Sequence, residues 1–588
     1  MRFEAQAVDP FDPAIDKPPT VDFGEIEAAA RFPQSNPELH YTTDRDANLY
    51  DLYWAWHDRP YARAITVTVT APIYTSQGIS TDPVDDVTPM VVRFFPGYQE
   101  TIYGAEDGII LSKRIFAPLG SGYDRSVLWL MECQAEGDRL LRIEVDIDWG
   151  APLEQRMVDG LLVAQTNPLE AQGIHGQQNA ESTRVFGTGG GRPDWVDLDD
   201  PSRAQLVYHL LVAGQVDLPL ILTVSDVGEQ VAWNGFLALR DISRSFKLSQ
   251  DVWTKVSRSG RLWTPYAPLN RVVQMGKEDA VAELRRLRTG YAPADQKITS
   301  VPALVDLFDS FDFERSRALL DHVRRLAMRT SGRLPGEIPA MPGEEAKPTT
   351  AEIVLRANVA YLTALASHLS RQPSVSYLAE HYAAVQACSD VLLSIRRERS
   401  TLAILHSGLY VAARLAGQHG DNVNEARWIG EAAVLGQLPS ATGGVDLRTW
   451  QGLDALRNFG APDAVHPLDA AAQLLWQGCG ISVRDGEIYL SPQWPTEWGW
   501  WGVLDLPILG GSLSLLWDGE RLHASRPVRF GGEVTVWERI RADGSDADDF
   551  RLHFHLRNSE QRRMFRPIFY EEVSWGARRD VRGKWIGD

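Results

Sequence analysis

The chain has little cysteine for its length. Only Cys133, Cys388 and Cys479 occur among 588 residues, at no metal-ligand spacing, so neither a disulfide framework nor a zinc site is expected. No run of about eighteen apolar residues appears, which excludes a membrane-spanning helix. The start, MRFEAQAVDPFDP, lacks the apolar core of a signal peptide, and a reducing, cytoplasmic setting is the expectation. Positive charge is also in deficit. The net charge of -19 argues against nucleic-acid binding, because a phosphate backbone is held by clustered Lys and Arg. The Gly187–Pro193 run lacks the strand-to-helix context and the trailing Lys-Ser/Thr of a phosphate-binding loop and reads as a β-loop. No cofactor is implied.

What is present is 44% hydrophobic content, enough for several large cores. From about Leu49 to Leu248 the pattern alternates in β-branched runs such as Ala64–Thr70 and Leu140–Trp149, separated by turn residues, and predicts an antiparallel β-sandwich. Residues 1 to about 40, rich in Pro and Asp, read as a loop-like arm over that domain, and the arm's length would suit packing against a second copy of the chain in a homo-oligomer. Residues 249–300 read as a linker that turns helical, with a helix from Asn270 to Thr289. From 301 to 480 apolar positions recur at helical spacing in segment after segment: Phe313–Met328, Thr349–Ser370, Val375–Ile395, Ser400–Ala416, Val423–Leu435 and Pro467–Gln477. Their short connections predict antiparallel helical hairpins. Residues 481–588 read as a small β domain and a solvated tail. The fold class expected is therefore multidomain α and β, with domains at 1–248, 249–300, 301–480 and 481–588.

Several stretches resemble the six-hairpin (α/α toroid) glycosidases. Residues 95–118, FPGYQETIYGAEDGIILSKRIFAP, are similar to sandwich strands of glucoamylase-type and disaccharide-phosphorylase proteins. Residues 312–339, DFERSRALLDHVRRLAMRTSGRLPGEIP, resemble the amylo-α-1,6-glucosidase (glycogen debranching) type, residues 404–435 resemble its later helix pair, and residues 468–518 resemble the closing helix and β cap shared with rhamnosidase-type relatives. The resemblance implies a trimmed (α/α)6-like toroid, a carbohydrate ligand, and hydrolysis of an α-glucoside or oligosaccharide by two carboxylates on loops at one mouth of the toroid. Its 19 tryptophans suit a carbohydrate protein, and equally the core of a large sandwich.

Candidate acids are Asp295 in YAPADQ, Glu337 between Pro335 and Pro339, and Asp446 in TGGVDLRTW; Glu344, Glu345 and Glu352 are weighed beside them. Asp295 also suits a helix start, and Glu352 reads as the acid of a capping box opened by Thr349. Trp263, Tyr291, Trp450 and His406 are the candidate sugar-binding residues, while His466 reads as a core or surface histidine. One departure opposes the resemblance. The debranching type has a long segment with a Trp-x-Asp motif after the helix matching Val375–Ile395, but here only Arg396–Arg399 precede the next helix. A complete twelve-helix toroid needs roughly 300 residues at about 12 per helix plus loops, and about 230 stand between Leu248 and Gly480. A catalytically degenerate carbohydrate-binding or scaffold protein is therefore the alternative reading, and a phosphorylase a third.

Overall fold

The computed structural model describes residues 20–552 apart from 55–59, 71–73, 76–77, 80–87, 106–107, 120–123, 167–181, 227, 341–348, 396–400, 436–466, 485–486, 491, 496–497, 499, 518–521, 525–528, 531–536 and 539–550. The chain divides into two compact units, Lys17–Thr254, and Lys255–Asp588 together with Met1–Asp16.

In the first unit, fourteen of the described strands join in one antiparallel sheet. Ile109–Phe116 shows why it has a core. Ile109, Leu111, Lys113 and Ile115 alternate inward, as a strand's two-residue period requires, and the apolar members close over Trp54, Trp129 and Trp149. Two strands of 23 residues, Ser126–Asp148 and Arg203–Ser225, pair along their full length, with an irregularity between Ala135 and Asp138 where Gly137 takes a φ of 87°. The N-terminal half of Ser126–Asp148 also pairs with Ile109–Phe116, and its C-terminal half with Ala62–Thr70. Helix α1 (Glu229–Ala238) packs Ala232 and Phe236 on the outer face, in a second cluster with Phe116, Leu128 and Val163. Gly187 and Thr188 end strand Thr183–Thr188. The turn beyond is closed by Thr188 Oγ1, which donates to the Gly191 carbonyl (2.9 Å) and accepts from its N–H (2.7 Å).

The expected loop-like arm is corrected from Thr20 onward. Thr20–Asp22 pairs with Val91–Arg93, and Phe32–Ser35 with His40–Thr43. These strands are too short to show a periodic pattern, and distant main-chain partners decide them.

The second unit is built on helices α2 (Ile242–Arg258, whose last turn it contains), α3 (Ala267–Glu283), α4 (Val301–Phe308), α5 (Phe313–Arg329), α6 (Ala351–Arg371), α7 (Val375–Ser394), α8 (Leu402–His419), α9 (Asn422–Val434) and α10 (Pro467–Ala472), the last continuing as a π-helical turn, Gln473–Gly478. Helices α4, α6 and α8 pack in succession, α10 packs on α3 and α4, and α5, α7 and α9 back them from outside, the inner and outer rows of a hairpin toroid. The helix expected over Asn270–Thr289 ends early. Leu284–Arg286 and Tyr291–Pro293 form a hairpin instead, with Gly290 at a φ of 144°. Strands Trp501–Ile508, Gly511–Trp517 and Leu522–Ala524 form a small sheet with Arg261–Trp263. Residues 553–588 of the expected tail lie outside the described residues.

Candidate functional site

Chain connectivity separates the two ends of the helical rows. Residues 309–312, 372–374 and 420–421, which lead from inner to outer helices, are tight turns, whereas the stretches before the next inner helices, 330–350, 395–401 and 435–466, are longer in sequence, with 341–348, 396–400 and 436–466 outside the described residues. The longer connections meet the N-termini of α6, α8 and α10, and residues 294–300 enter α4 at the same end: the N–H of Ala294 bonds to Glu283 O (2.7 Å), and Ile298 N–H reaches Gly336 O (3.1 Å). Positive helix-dipole ends therefore converge on the long connections.

Two of the candidate acids come together here. Ile338 N–H donates to Gln296 O (2.7 Å), and Lys297 and Glu337 form an antiparallel bridge. Asp295 lies in the turn two residues before this bridge, with Gln296 between at a φ of 57°. Both acids are exposed. Asp295 caps its own loop: Oδ1 accepts from Lys297 N–H (2.9 Å), Oδ2 from Ser300 Oγ (2.9 Å), and the Lys297 ammonium lies 3.8 Å away. Glu337 is held out between buried Leu334 and Ile338. Below it, Leu334 N–H bonds to Asn358 Oδ1, whose amide donates to Cys388 O, both at 3.4 Å. Gly332, at a φ of 80°, lets the segment pass α7, because a Cβ there would stand 2.2 Å from Ala387 O. Gly332→Ala is expected to cost about 2–4 kcal/mol through strain and displaced backbone, read as a lowered denaturation midpoint; an unchanged midpoint would show that the segment does not depend on this close approach.

Tyr291 lies beside the pair. Its carbonyl accepts from His322 Nδ1 (2.6 Å), while burial, together with Arg325 and Arg329, pulls His322 down to about 4, so its ring is neutral with the proton on Nδ1. His406, half-buried in the first turns of α8, stacks on Tyr410. Trp263 is not brought to the acids. It is 5% exposed in the strand paired with Gly502–Leu504 and edge-on to Trp500, and the adjoining Gly260 abuts Ser310 of the opposite-end turn. The capping box expected at Thr349 is corrected: Thr350 caps α6, accepting from Ile353 N–H (3.3 Å), and Glu352 takes two bonds from Arg356. Asp446, Trp450, Glu344, Glu345 and His466 lie outside the described residues. Among the described residues no His, Cys, Asp and Glu group could hold a metal, and no helix is long and apolar enough to cross a membrane.

Two buried polar chains were not visible in the sequence. One joins Asp306, Asp309, His368 and Arg371 under Trp476; the other runs from Tyr361 OH to His381 Nδ1 (2.8 Å) and from His381 Nε2 to Asp321 (3.0 Å).

The fold is similar to that of a putative kojibiose phosphorylase from human microbiome, with a TM-score of 0.52 at 8% identity, covering 87% of this chain and 93% of that one. Weaker likenesses are to a family GH92 inverting mannosidase from Bacteroides thetaiotaomicron (TM-score 0.39, 10% identity, 68% of this chain and 61% of that one) and to a GH92 family glycosyl hydrolase (0.35, 12%, 73% and 63%). No family model matches the chain, and no curated protein matches it by sequence. At these identities the likeness is one of fold.

Proposed function

We propose that this chain is a glycoside hydrolase acting on an α-glucoside or oligosaccharide, with Glu337 as proton donor and Asp295 as the partner carboxylate. The observation that supports this best is the hydrogen-bonded pairing of their two segments at the long-connection end of the helical rows. The reading requires the two carboxyl groups to stand roughly 6.5–9.5 Å apart, which leaves room for a water between them. In this reading Glu337 gives its proton to the glycosidic oxygen as the bond to the anomeric carbon breaks. A water attacks that carbon and loses its proton to Asp295, each of whose oxygens keeps a second lone pair beyond the loop's own bonds. Tyr291 and His406 flank the sugar, and Asp446 and Trp450, outside the described residues, are the further candidates.

The test is product release from a panel of α- and β-linked oligosaccharides, with and without inorganic phosphate. Glu337→Gln is expected to lower cleavage by at least about 10²-fold, with the fold intact by circular dichroism. Cleavage unchanged in that variant removes Glu337 from the role. Turnover only with phosphate moves the reaction to phosphorolysis, and binding without turnover favours the degenerate reading.

A further inference from the structure

Positive charge is scarce in this chain, yet two short segments beside the candidate acids carry nothing else. Residues 284–291 and 322–333 hold seven arginines and no Asp or Glu, against a net charge of -19 for the whole. The fold joins them. Arg325 Nη2 donates to Thr289 O (3.4 Å), His322 Nδ1 to Tyr291 O (2.6 Å), and Gly290 lies so close that a Cβ would stand 2.8 Å from His322 and 3.0 Å from Arg325. The joined surface is continuous with the acid segment, because Thr289 Oγ1 donates to Pro339 O (2.9 Å), two residues from Glu337.

The ordinary account of surface arginines is pairing with acids one helical turn away, and the first part of α5 follows it: Asp312 with Arg315, Glu314 with Arg317, Asp321 with Arg324. Beyond Asp321 the acids stop. Arg325 and Arg329, one turn apart and exposed, make no ion pair among the described residues. The helix C-terminus accounts for one cation in the last turn, and Arg325 and Arg329 are two.

We infer that this surface binds an oxyanion carried by the glycan, so that the substrate class is an anionic oligosaccharide bearing carboxylate, sulfate or phosphate groups. Arg325 and Arg329 would hold the charged group while the neighbouring sugar lies at Glu337 and Asp295. Guanidinium forks suit planar and tetrahedral oxyanions, and the acidic remainder of the protein would repel such a ligand elsewhere. The inference rests on the glycosidase reading, but its test reads binding without turnover, so the two can fail separately.

The experiment is calorimetric titration of the full chain with an oligogalacturonate, a sulfated oligosaccharide, the neutral methyl ester of the former, and inorganic phosphate, repeated at raised salt. An anionic glycan is expected to bind at least about tenfold more tightly than the neutral ester and to weaken with salt. Arg325→Gln and Arg329→Gln should each lose about tenfold, while Arg329→Lys recovers part of the loss. Equal binding of charged and neutral glycans overturns the inference, as does undiminished binding to the double glutamine variant. Phosphate binding alone, with no preference among glycans, overturns it in favour of a free-phosphate site. Loss of cleavage in Glu337→Gln, or none, bears on the glycosidase reading only.

Discussion

Arg371→Met is expected to destabilise the helical unit by about 3–5 kcal/mol, the cost of leaving a buried charge without its partner. The guanidinium reaches Asp306 (2.7 Å) and Asp309 (3.2 Å) and lies 4.0 Å over the Trp476 ring, whose Nε1 donates to Asp306 O. Asp309 and His368 are fully buried and bonded at 2.8 Å. Asp306 shows the balance at work: burial pushes its carboxyl up, and Arg371 opposes that rise. Methionine fills much of the same space but leaves Asp309 with one of its two partners. Urea denaturation measures the loss, and adding Asp309→Asn should recover part of it because the two residues share one network. A single variant within 1 kcal/mol of the parent would show the charges to be dispensable.

Lys277→Met should cost about 3 kcal/mol. The Lys277 side chain is wholly buried in α3, and Nζ donates to the carbonyls of Val256 (2.9 Å), Ser259 (2.9 Å) and Ser257 (3.4 Å), which the end of α2 leaves without intrahelical donors. Burial pulls the ammonium down to about 7, Arg261 adds to the fall and Glu278 opposes it. Between that value and the ordinary 10.5, the unfolded chain holds a proton that the folded chain gives up, so this group adds stability as pH rises through the window. The difference in stability between parent and Lys277→Met should therefore widen from pH 7 toward pH 10, and a flat difference would mean that the buried amine keeps its proton.

Much of the helical architecture could be read from spacing alone. Val375–Ser394 and Phe313–Arg329 fall within a residue of where apolar periodicity puts them, because each carries its own buried stripe. Glu337 stood out for a local reason too, its two flanking prolines, whereas Asp295, which suited a helix start, bonds within its own loop. The rest depended on partners far along the chain. His368 read as one more member of an apolar face, since nothing near it announces Asp309, 59 residues away. Trp476 and Asp306 are separated by 170 residues. The hairpin at 284–293 replaced a helix because its register is set by pairing, and pairing leaves no helical or two-residue period in so short a run. The arginine surface is hidden from the sequence for the same reason, as its halves meet through the bonds from Arg325 to Thr289 and from His322 to Tyr291.

The two 23-residue strands of the sandwich impose an order on its assembly. Ser126–Asp148 is synthesised with Ile109–Phe116 and Ala62–Thr70 already available, but its longest partner begins only at Arg203. Until then the strand has an open edge along its entire length, and joining Val127 to Leu222 must close a very long loop. Nascent chains halted between Asp148 and Arg203 should thus be the form most prone to pair with one another, and the last strand to arrive is the one that makes the sheet cooperative from end to end.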